Sequence, residues 1–300
     1  MDPFVLQSIN GIEDLIIEEK GDLSKHTGFR TGGTAILAYP QNISALSELL
    51  LFVRRHDIRH HILGNGTNTL ALDEGYDGIV ILTKQCANEL KVEGEFIRAG
   101  AGLLLIDACR AALNNNLTGL EFAYGIPGSV GGAVYMNAGA YDGEIKDVLY
   151  SVDYLDENDQ LRTAYADQLC LDYRTSVFHD RKDWIILSAL FKLSDGDHFE
   201  IKNKMEDLMG RRKEKQPLEF PSCGSTFKRP LGNYASKLID ECGLKGCSVG
   251  GAQVSEKHCG FIINRSHATS KDILELIDIV RSTVLDKTGY KLECEIEILN

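Results

Sequence analysis

A mixed α/β or α+β fold in two domains is predicted by the 300-residue sequence, and three observations carry that reading. Helix-like and strand-like segments alternate through the first half. Two glycine-dense segments, 64–68 and 125–133, interrupt that alternation. Near the C-terminus an amphipathic helix is followed by a segment alternating apolar and charged residues. At roughly 100–200 residues per domain, a chain of this length makes about two domains. It can bury roughly three-quarters of the surface it exposes when unfolded, so it needs neither disulfides nor a structural metal.

Taken in order, Leu46, Leu49, Leu50 and Val53 have the i, i+3, i+4, i+7 spacing of an amphipathic helix, with Ser44 as its expected cap. Residues 59–63 read as a strand closed by Gly64-Asn65-Gly66-Thr67-Asn68. Short strands are predicted at 79–82 and 96–99, and a helix at 103–113 that stops in Asn114-Asn115-Asn116. Two further strands are predicted at 150–155 and 184–193. The stretch Ser194-Asp195-Gly196-Asp197 breaks the pattern and places a domain boundary there, giving an N-terminal segment 1–25, a first domain 26–195 and a second 196–300. Asp197 and Glu200 have capping-box spacing. The helix they open runs through Ile201, Met205, Leu208 and Met209 to a basic end and stops before Pro217. Thr269 or Ser270 caps a last helix with apolar face Ile273, Leu276, Ile277, Val280 and Val284, ended by Gly289. Residues 291–299 read as a strand with Leu292, Cys294, Ile296 and Ile298 on one face and Lys291, Glu293, Glu295 and Glu297 on the other.

Lys and Arg number 32 and Asp and Glu 44, a formal charge of −12. So acidic a surface repels a phosphate backbone and argues against nucleic-acid binding. It leaves room for small anions at a local basic patch, and Arg211, Arg212, Lys213 and Lys215, with Lys228 and Arg229, form such a patch in sequence. The same basic helix end also complements a helix dipole without any ligand. The eight cysteines contain no C-x-x-C pair, which argues against a zinc framework and for buried, reduced thiols in a cytoplasmic protein. No run approaches the roughly 18 apolar residues of a membrane span, and the acidic N-terminus lacks the basic flank of a signal peptide.

Segment 64–68 follows a predicted strand and exposes several main-chain N–H groups, which suits a phosphate nest; taken alone, a plain Asn-Gly turn is the simpler reading. Segment 125–133 adds Gly125, Gly128, Gly131 and Gly132 around Pro127, bare backbone on which a flat ligand can lie. Two such segments in one domain favour a dinucleotide. A nicotinamide-type G-x-G-x-x-G site is disfavoured, because Gly64-x-Gly66 reaches Thr69 and Gly100-x-Gly102 reaches Leu105 where the third glycine belongs.

Longer motifs then align in order. Thr31-Gly32-Gly33-Thr34-Ala35, Ile62 to Asn68, Gly125 to Ala133 and Met136-Asn137-Ala138-Gly139-Ala140 occupy the first half. Asp172-Tyr173-Arg174-Thr175-Ser176, Lys215-Gln216-Pro217, Cys223-Gly224-Ser225-Thr226-Phe227-Lys228, Gly243-Leu244-Lys245-Gly246 and Leu292-Glu293-Cys294-Glu295-Ile296 follow. From about residue 26 to the C-terminus the chain resembles the UDP-N-acetylenolpyruvoylglucosamine reductases, flavoenzymes of bacterial cell-wall peptidoglycan synthesis. Each motif is weak alone; the ordered series is specific.

The resemblance implies an α+β fold: an FAD-binding domain of the p-cresol methylhydroxylase/vanillyl-alcohol-oxidase type, made of two α/β subdomains, plus a C-terminal α+β substrate domain. It implies FAD held noncovalently, since segment 64–68 lacks a histidine, with NADPH as reductant and UDP-N-acetylglucosamine-enolpyruvate as substrate. The chain's shortness resembles the family's second type, which lacks a tyrosine-bearing substrate loop. Implied cofactor contacts are Gly64, Asn65, Gly66, Thr67 and Asn68 for the pyrophosphate, then Gly125, Ile126, Pro127, Gly128, Ser129, Gly132, Ala133 and Asn137. Implied catalytic residues are Arg174, whose fork matches the substrate carboxylate, Ser225 as proton donor, and Glu295 beside the same carboxylate. Tyr173, Lys215 and Lys228 are implied substrate contacts, with Gln253 and His258 at positions where the family places substrate-domain polar residues. Cys223 is not needed as a nucleophile, because nothing in the implied chemistry is covalent. Two other readings stay open at this stage: an FAD oxidase of the same fold acting on an alcohol or hydroxy acid, and a non-enzymatic flavin-binding module.

Overall fold

The computed structural model describes residues 3–300 and divides into two compact units. The first comprises Met1–Glu19, Ile36–Asn65 and Gly78–Arg211; the second comprises Lys20–Ala35, Gly66–Asp77 and Arg212–Asn300. Seven α-helices run through the described residues: α1 (Pro3–Ile9), α2 (Ile43–Arg55), α3 (Leu105–Asn114), α4 (Val130–Tyr135), α5 (His198–Lys215), α6 (Ala235–Glu241) and α7 (Ser270–Thr288).

Two layered α/β halves make up the first unit. In one, a four-stranded sheet has the order Leu15–Asp22, Thr34–Pro40, Ile79–Leu82, His60–Leu63. Ile79–Leu82 pairs in parallel with both of its neighbours and is buried at all four positions, as a central parallel strand must be. Leu46, Leu49, Leu50 and Val53 of α2 pack into the core beside Ile79 and Ile81. The other half is a five-stranded antiparallel sheet in the order Leu161–Tyr165, Leu149–Leu155, Ile185–Lys192, Phe96–Gly100, Leu90–Glu93. Its core takes α3 through Leu105, Ala108, Cys109 and Ala112, and α4 through Val130, Ala133 and Val134.

The second unit buries Ile273, Leu276, Ile277, Val280 and Val284 of α7 against Leu238 and Ile239 of α6 and the strands Ala252–Val254 and Ile262–Asn264. Thr269 caps α7 with Asp272 in a capping box, and Gly289 closes it.

Four expectations shift. The cap of α2 is Asn42, not Ser44: its side chain accepts from the Ala45 N–H at 2.8 Å, so the helix opens before Ser44 is reached. Segment 125–133 is not all loop, because Ser129 starts α4 and its last residues are helical. Residues 291–299 do not form one alternating strand. Only Glu297–Leu299 is regular, paired in parallel with Thr69–Ala71, and the apolar residues that reach the core are Leu292, Ile296 and Leu299, leaving Ile298 47% exposed. The expected boundary at 195/196 lies instead within α5, at Arg211/Arg212, because Ile201 and Met205 of α5 are buried in the first unit's core. The second unit also takes in the segments 20–35 and 66–77, drawn from far upstream by pairings such as that of Thr69–Ala71 with the C-terminal strand.

Candidate active site

In the first unit the two glycine segments are sewn together. The Asn65 side-chain amide donates to the Pro127 carbonyl at 2.5 Å. The Leu105 N–H donates to the Gly128 carbonyl at 3.0 Å, and the Gly131 N–H to the Ala101 carbonyl at 2.9 Å, which locks 128–131 onto the turn after Phe96–Gly100. Ser129 is buried and its hydroxyl accepts from the Gly132 N–H at 3.2 Å, so its role here is to cap α4. Ala133 is likewise buried, in the core. Gly125, Ile126, Pro127, Gly128 and Gly132 keep accessible surface. A Cβ added at Gly132 would meet only the Ser129 hydroxyl, at 3.3 Å, so the bare backbone there is an open cradle. No charged residue occurs from Phe122 to Ala140 or from Gly64 to Leu72. Neutral glycine, amide and hydroxyl groups within each segment suit the rings or the diphosphate of a flavin dinucleotide.

The rest of the expected pyrophosphate loop belongs to the second unit. Gly66 sits at φ 63°, and a Cβ there would lie 1.8 Å from the His26 carbonyl oxygen. Its own carbonyl accepts from the N–H groups of Gly28 at 2.9 Å and Thr69 at 3.3 Å. The chain at 26–28 therefore packs on this loop and forms one wall of it. Beside it, the buried Thr31 hydroxyl has no hydrogen-bond partner among the described residues. That is an orphaned polar atom, of the kind a bound ligand satisfies. Thr67 and Asn68 are half-buried. Asn68 turns toward the C-terminal segment: its amide donates to the Glu295 carbonyl at 2.9 Å, and its carbonyl accepts from the Glu297 N–H at 2.9 Å.

Glu295 and Ser225 are brought together by the residue between Ser225 and Phe227. The Thr226 carbonyl accepts from the Glu295 N–H at 2.9 Å, and Phe227 bridges Cys294 in antiparallel pairing. Thr226 itself is fully buried, donating its N–H to the Gly260 carbonyl and accepting from the Ile262 N–H on its hydroxyl at 3.0 Å. Ser225 is exposed and Glu295 half-buried, so both keep accessible surface beside this backbone pairing. Lys228 continues the same ladder through its N–H to the Glu293 carbonyl at 2.8 Å. Lys215 is exposed as the last residue of α5. Cys223 is buried with its thiol on the Thr69 carbonyl, and burial pushes that thiol up to about 12, which makes it inert as a nucleophile.

Arg174, in the first unit, stands at the tip of a hairpin. Asp172 and Thr175 exchange main-chain hydrogen bonds of 3.2 and 3.1 Å, leaving Tyr173 and Arg174 as the turn. Arg174 is held at φ 54°, a left-handed conformation that costs a branched or long side chain on the order of 1–3 kcal/mol. Its guanidinium donates to the Gly139 carbonyl at 3.1 Å and lies 5.1 Å from the centre of the Tyr173 ring. Tyr173 is 38% exposed. Asn137, expected among the cofactor contacts, is fully buried instead, and both ends of its amide are used inside the protein.

Two buried threonines stand in the quoted motifs without being singled out there: Thr226 and the orphaned Thr31 carry no periodicity or charge signal. Gln253 is occupied structurally, donating to the Gly246 carbonyl and the Ser248 hydroxyl and accepting from Arg265 at 2.6 Å. His258 accepts from the Gly260 N–H at 3.1 Å, and burial lowers its pKa. Cys170 departs from the buried-thiol expectation by being exposed. A surface cavity of about 650 Å³ beside α7, lined by Leu72, Glu74, Leu274 and Asp278 among others, contains none of the expected site residues. Among the described residues no helix is long and apolar enough to cross a membrane.

Comparison with known proteins adds three findings. Residues 216–299 match the profile described as UDP-N-acetylenolpyruvoylglucosamine reductase, C-terminal domain, and residues 34–165 match an FAD binding domain. The UDP-N-acetylenolpyruvoylglucosamine reductase of Clostridium perfringens is 46% identical over 288 residues, covering 96% of this chain and 93% of that protein. The enzyme of that name from Caldanaerobacter subterraneus is 48% identical over 278 residues, 92% of this chain and 91% of that one. The crystal structure of UDP-N-acetylenolpyruvylglucosamine reductase from Thermus caldophilus matches with a TM-score of 0.82 at 35% identity, over 95% of this chain and 100% of that chain.

Proposed function

The chain belongs to the UDP-N-acetylenolpyruvoylglucosamine reductase family, and on that premise we propose how its own residues divide the work. It is an FAD-dependent oxidoreductase that uses NADPH to reduce the enolpyruvyl ether of UDP-N-acetylglucosamine-enolpyruvate to UDP-N-acetylmuramate, a step of peptidoglycan precursor synthesis. The observation that carries this is identity at nearly half the positions over 96% of the chain. One NADPH and one proton are consumed per carbon–carbon double bond reduced. FAD, when bound, would supply the redox chemistry that links NADPH to the vinyl carbon.

The protein's part is to bind, orient and polarise. Within the first unit, Gly64, Asn65 and 125–128 would hold FAD noncovalently through main-chain and amide donors; Gly66, Thr67 and Asn68 are assigned to its pyrophosphate by family resemblance. The open Gly132 backbone and the orphaned Thr31 hydroxyl support that reading. Arg174 receives the substrate carboxylate, where negative charge grows as the hydride arrives; a charged, planar fork is the group suited to it. Ser225 donates the proton to the adjacent carbon, and Glu295 shares the carboxylate's hydrogen bonding. The backbone link through Thr226 supports a joint role for that pair, because it fixes the spacing between them. Tyr173, Lys215 and Lys228 are assigned to substrate, the lysines to its anionic diphosphate. The enzyme works in the cytoplasm, where NADPH and nucleotide sugars are at hand.

The test is optical. Purified protein is expected to be yellow, to bleach with NADPH and to recolour with the enolpyruvyl substrate. Bleaching by a simple alcohol or hydroxy acid would support an oxidase instead, and protein without flavin a non-enzymatic role.

A further inference from the structure

We propose that Asn137 is a positioning residue for Arg174, a buried amide that holds the base of the hairpin on which the guanidinium rides. The inference rests on the reading of Arg174 as the carboxylate-binding group.

Asn137 is 0% exposed and held at φ 39°. Its side-chain nitrogen donates to the Asp172 carbonyl at 2.9 Å and to Glu144 Oε2 at 3.1 Å, and its side-chain oxygen accepts from the Lys146 N–H at 2.9 Å. Both amide protons and the amide oxygen are therefore used. The Asp172 carbonyl is also the acceptor that closes the hairpin with the Thr175 N–H. Clamp and hairpin closure converge on that one oxygen, two residues before Arg174. A second pin lies on the other side, where the buried Ser176 hydroxyl donates to the Tyr135 carbonyl at 2.6 Å. A third is the Arg174 guanidinium on the Gly139 carbonyl, two residues after Asn137. The hairpin is thus fastened at its base, its exit and its tip to the single stretch 135–139.

This arrangement explains why an asparagine stands there. The backbone is left-handed, which asparagine tolerates better than other side chains. The amide must donate at one end and accept at the other, which neither aspartate nor leucine of similar size can do. Aspartate would turn a carboxylate oxygen toward the Glu144 carboxylate and the Asp172 carbonyl, two groups that can only accept. Glu144 is already paired with Lys146 Nζ at 2.6 Å, so the acceptor end of the clamp is itself held. Arg174, in an unfavourable backbone conformation at a two-residue tip, keeps its aim only while the base of the hairpin is fixed.

The experiment compares holoenzyme carrying Asn137→Asp, Arg174→Lys, and both, with flavin reduction by NADPH and reoxidation by the enolpyruvyl substrate followed separately by stopped-flow absorbance. Asn137→Asp is expected to slow reoxidation by about 10- to 100-fold through misplacement of the guanidinium. Reduction by NADPH should stay within about twofold of the unmodified enzyme. In the Arg174→Lys background the same substitution should add less than about threefold, because residues acting through one group are not additive. Slowing of both half-reactions alike, or full additivity with Arg174→Lys, overturns the proposal. If Asn137→Asp does not fold, Asn137→Gly, which keeps the left-handed backbone and removes only the amide, carries the same comparison. Failure of both to fold overturns it in favour of a purely structural role. Reoxidation slowed by Arg174→Lys but untouched by Asn137 variants defeats the clamp alone; reoxidation untouched by Arg174→Lys defeats the reading of Arg174 and the clamp with it.

Discussion

The Glu295 N–H donates to the Thr226 carbonyl at 2.9 Å, so the two segments that carry Ser225 and Glu295 share a hydrogen bond. Thr226 is wholly buried and its hydroxyl and N–H are both engaged, which makes it a fixed post between two accessible side chains. If Ser225 is the proposed proton donor, it acts only after the flavin has been reduced. Ser225→Ala is expected to leave flavin reduction by NADPH intact and to slow reoxidation by substrate about 100-fold or more, within the range for loss of a positioned proton donor. Ser225→Cys should retain part of the rate. Rapid-mixing absorbance distinguishes the two steps, and equal slowing of both would show that Ser225 is not the donor.

Gly66 makes a second, backbone-level prediction. At φ 63°, with the His26 carbonyl 1.8 Å from where a Cβ would stand, alanine cannot be accommodated without moving the 26–28 wall. Gly66→Ala should lower the melting temperature by several degrees for each kcal/mol of strain and should purify with less than one flavin per chain. A variant that is stable and fully yellow would show that this wall is not part of the cofactor site.

Thiol reactivity follows burial. Cys170 is exposed, whereas Cys86, Cys109 and Cys223 are buried, with burial pushing the thiols of Cys86 up to about 11 and Cys223 up to about 12. Brief treatment of native protein with iodoacetamide should label Cys170 first and leave Cys86, Cys109 and Cys223 unmodified by mass spectrometry. Labelling of Cys223 that proceeds as fast as that of Cys170 would contradict the buried geometry.

His61 gives a pH dependence. Burial, with the positive neighbours Lys182 and His60, pushes its pKa down to about 4 from an ordinary 6.5. The folded form therefore holds it neutral where the unfolded chain is protonated. Its contribution is complete above pH 6.5 and is lost as the pH falls toward 4, where the unfolded state binds the extra proton. The loss is at most about 3 kcal/mol for a shift of this size. Urea midpoints between pH 7 and 4 should fall more steeply for the unmodified protein than for His61→Gln; parallel curves would remove His61 from the acid response.

Much of this architecture is legible along the chain because local patterns and burial agree. The apolar stripe of α7 and its Gly289 end are read from spacing and stand where the spacing puts them, and of the two caps it offers, Thr269 and Ser270, the structure uses Thr269. The same is true of α2 apart from its cap, and of the buried strand Ile79–Leu82. The candidate site is legible only through its resemblance to a family. From pattern alone Glu295 is one of several charges on an alternating segment, and Arg174 is a surface arginine.

Sequence by itself determined elements such as α2, α7 and the strand Ile79–Leu82, and which chemical groups exist to bind a dinucleotide and an anionic substrate, because propensity, periodicity and composition are local properties. Tertiary structure decided that Glu295 hangs from Thr226 and Asn68, that Asn137 is sunk beneath the Arg174 hairpin, and that segments 20–35 and 66–77 join the C-terminal unit. Those outcomes are set by hydrogen bonds spanning from tens of residues to more than two hundred. A buried amide or carbonyl takes whichever partner the packed chain brings to it, and no window of neighbouring residues contains that partner.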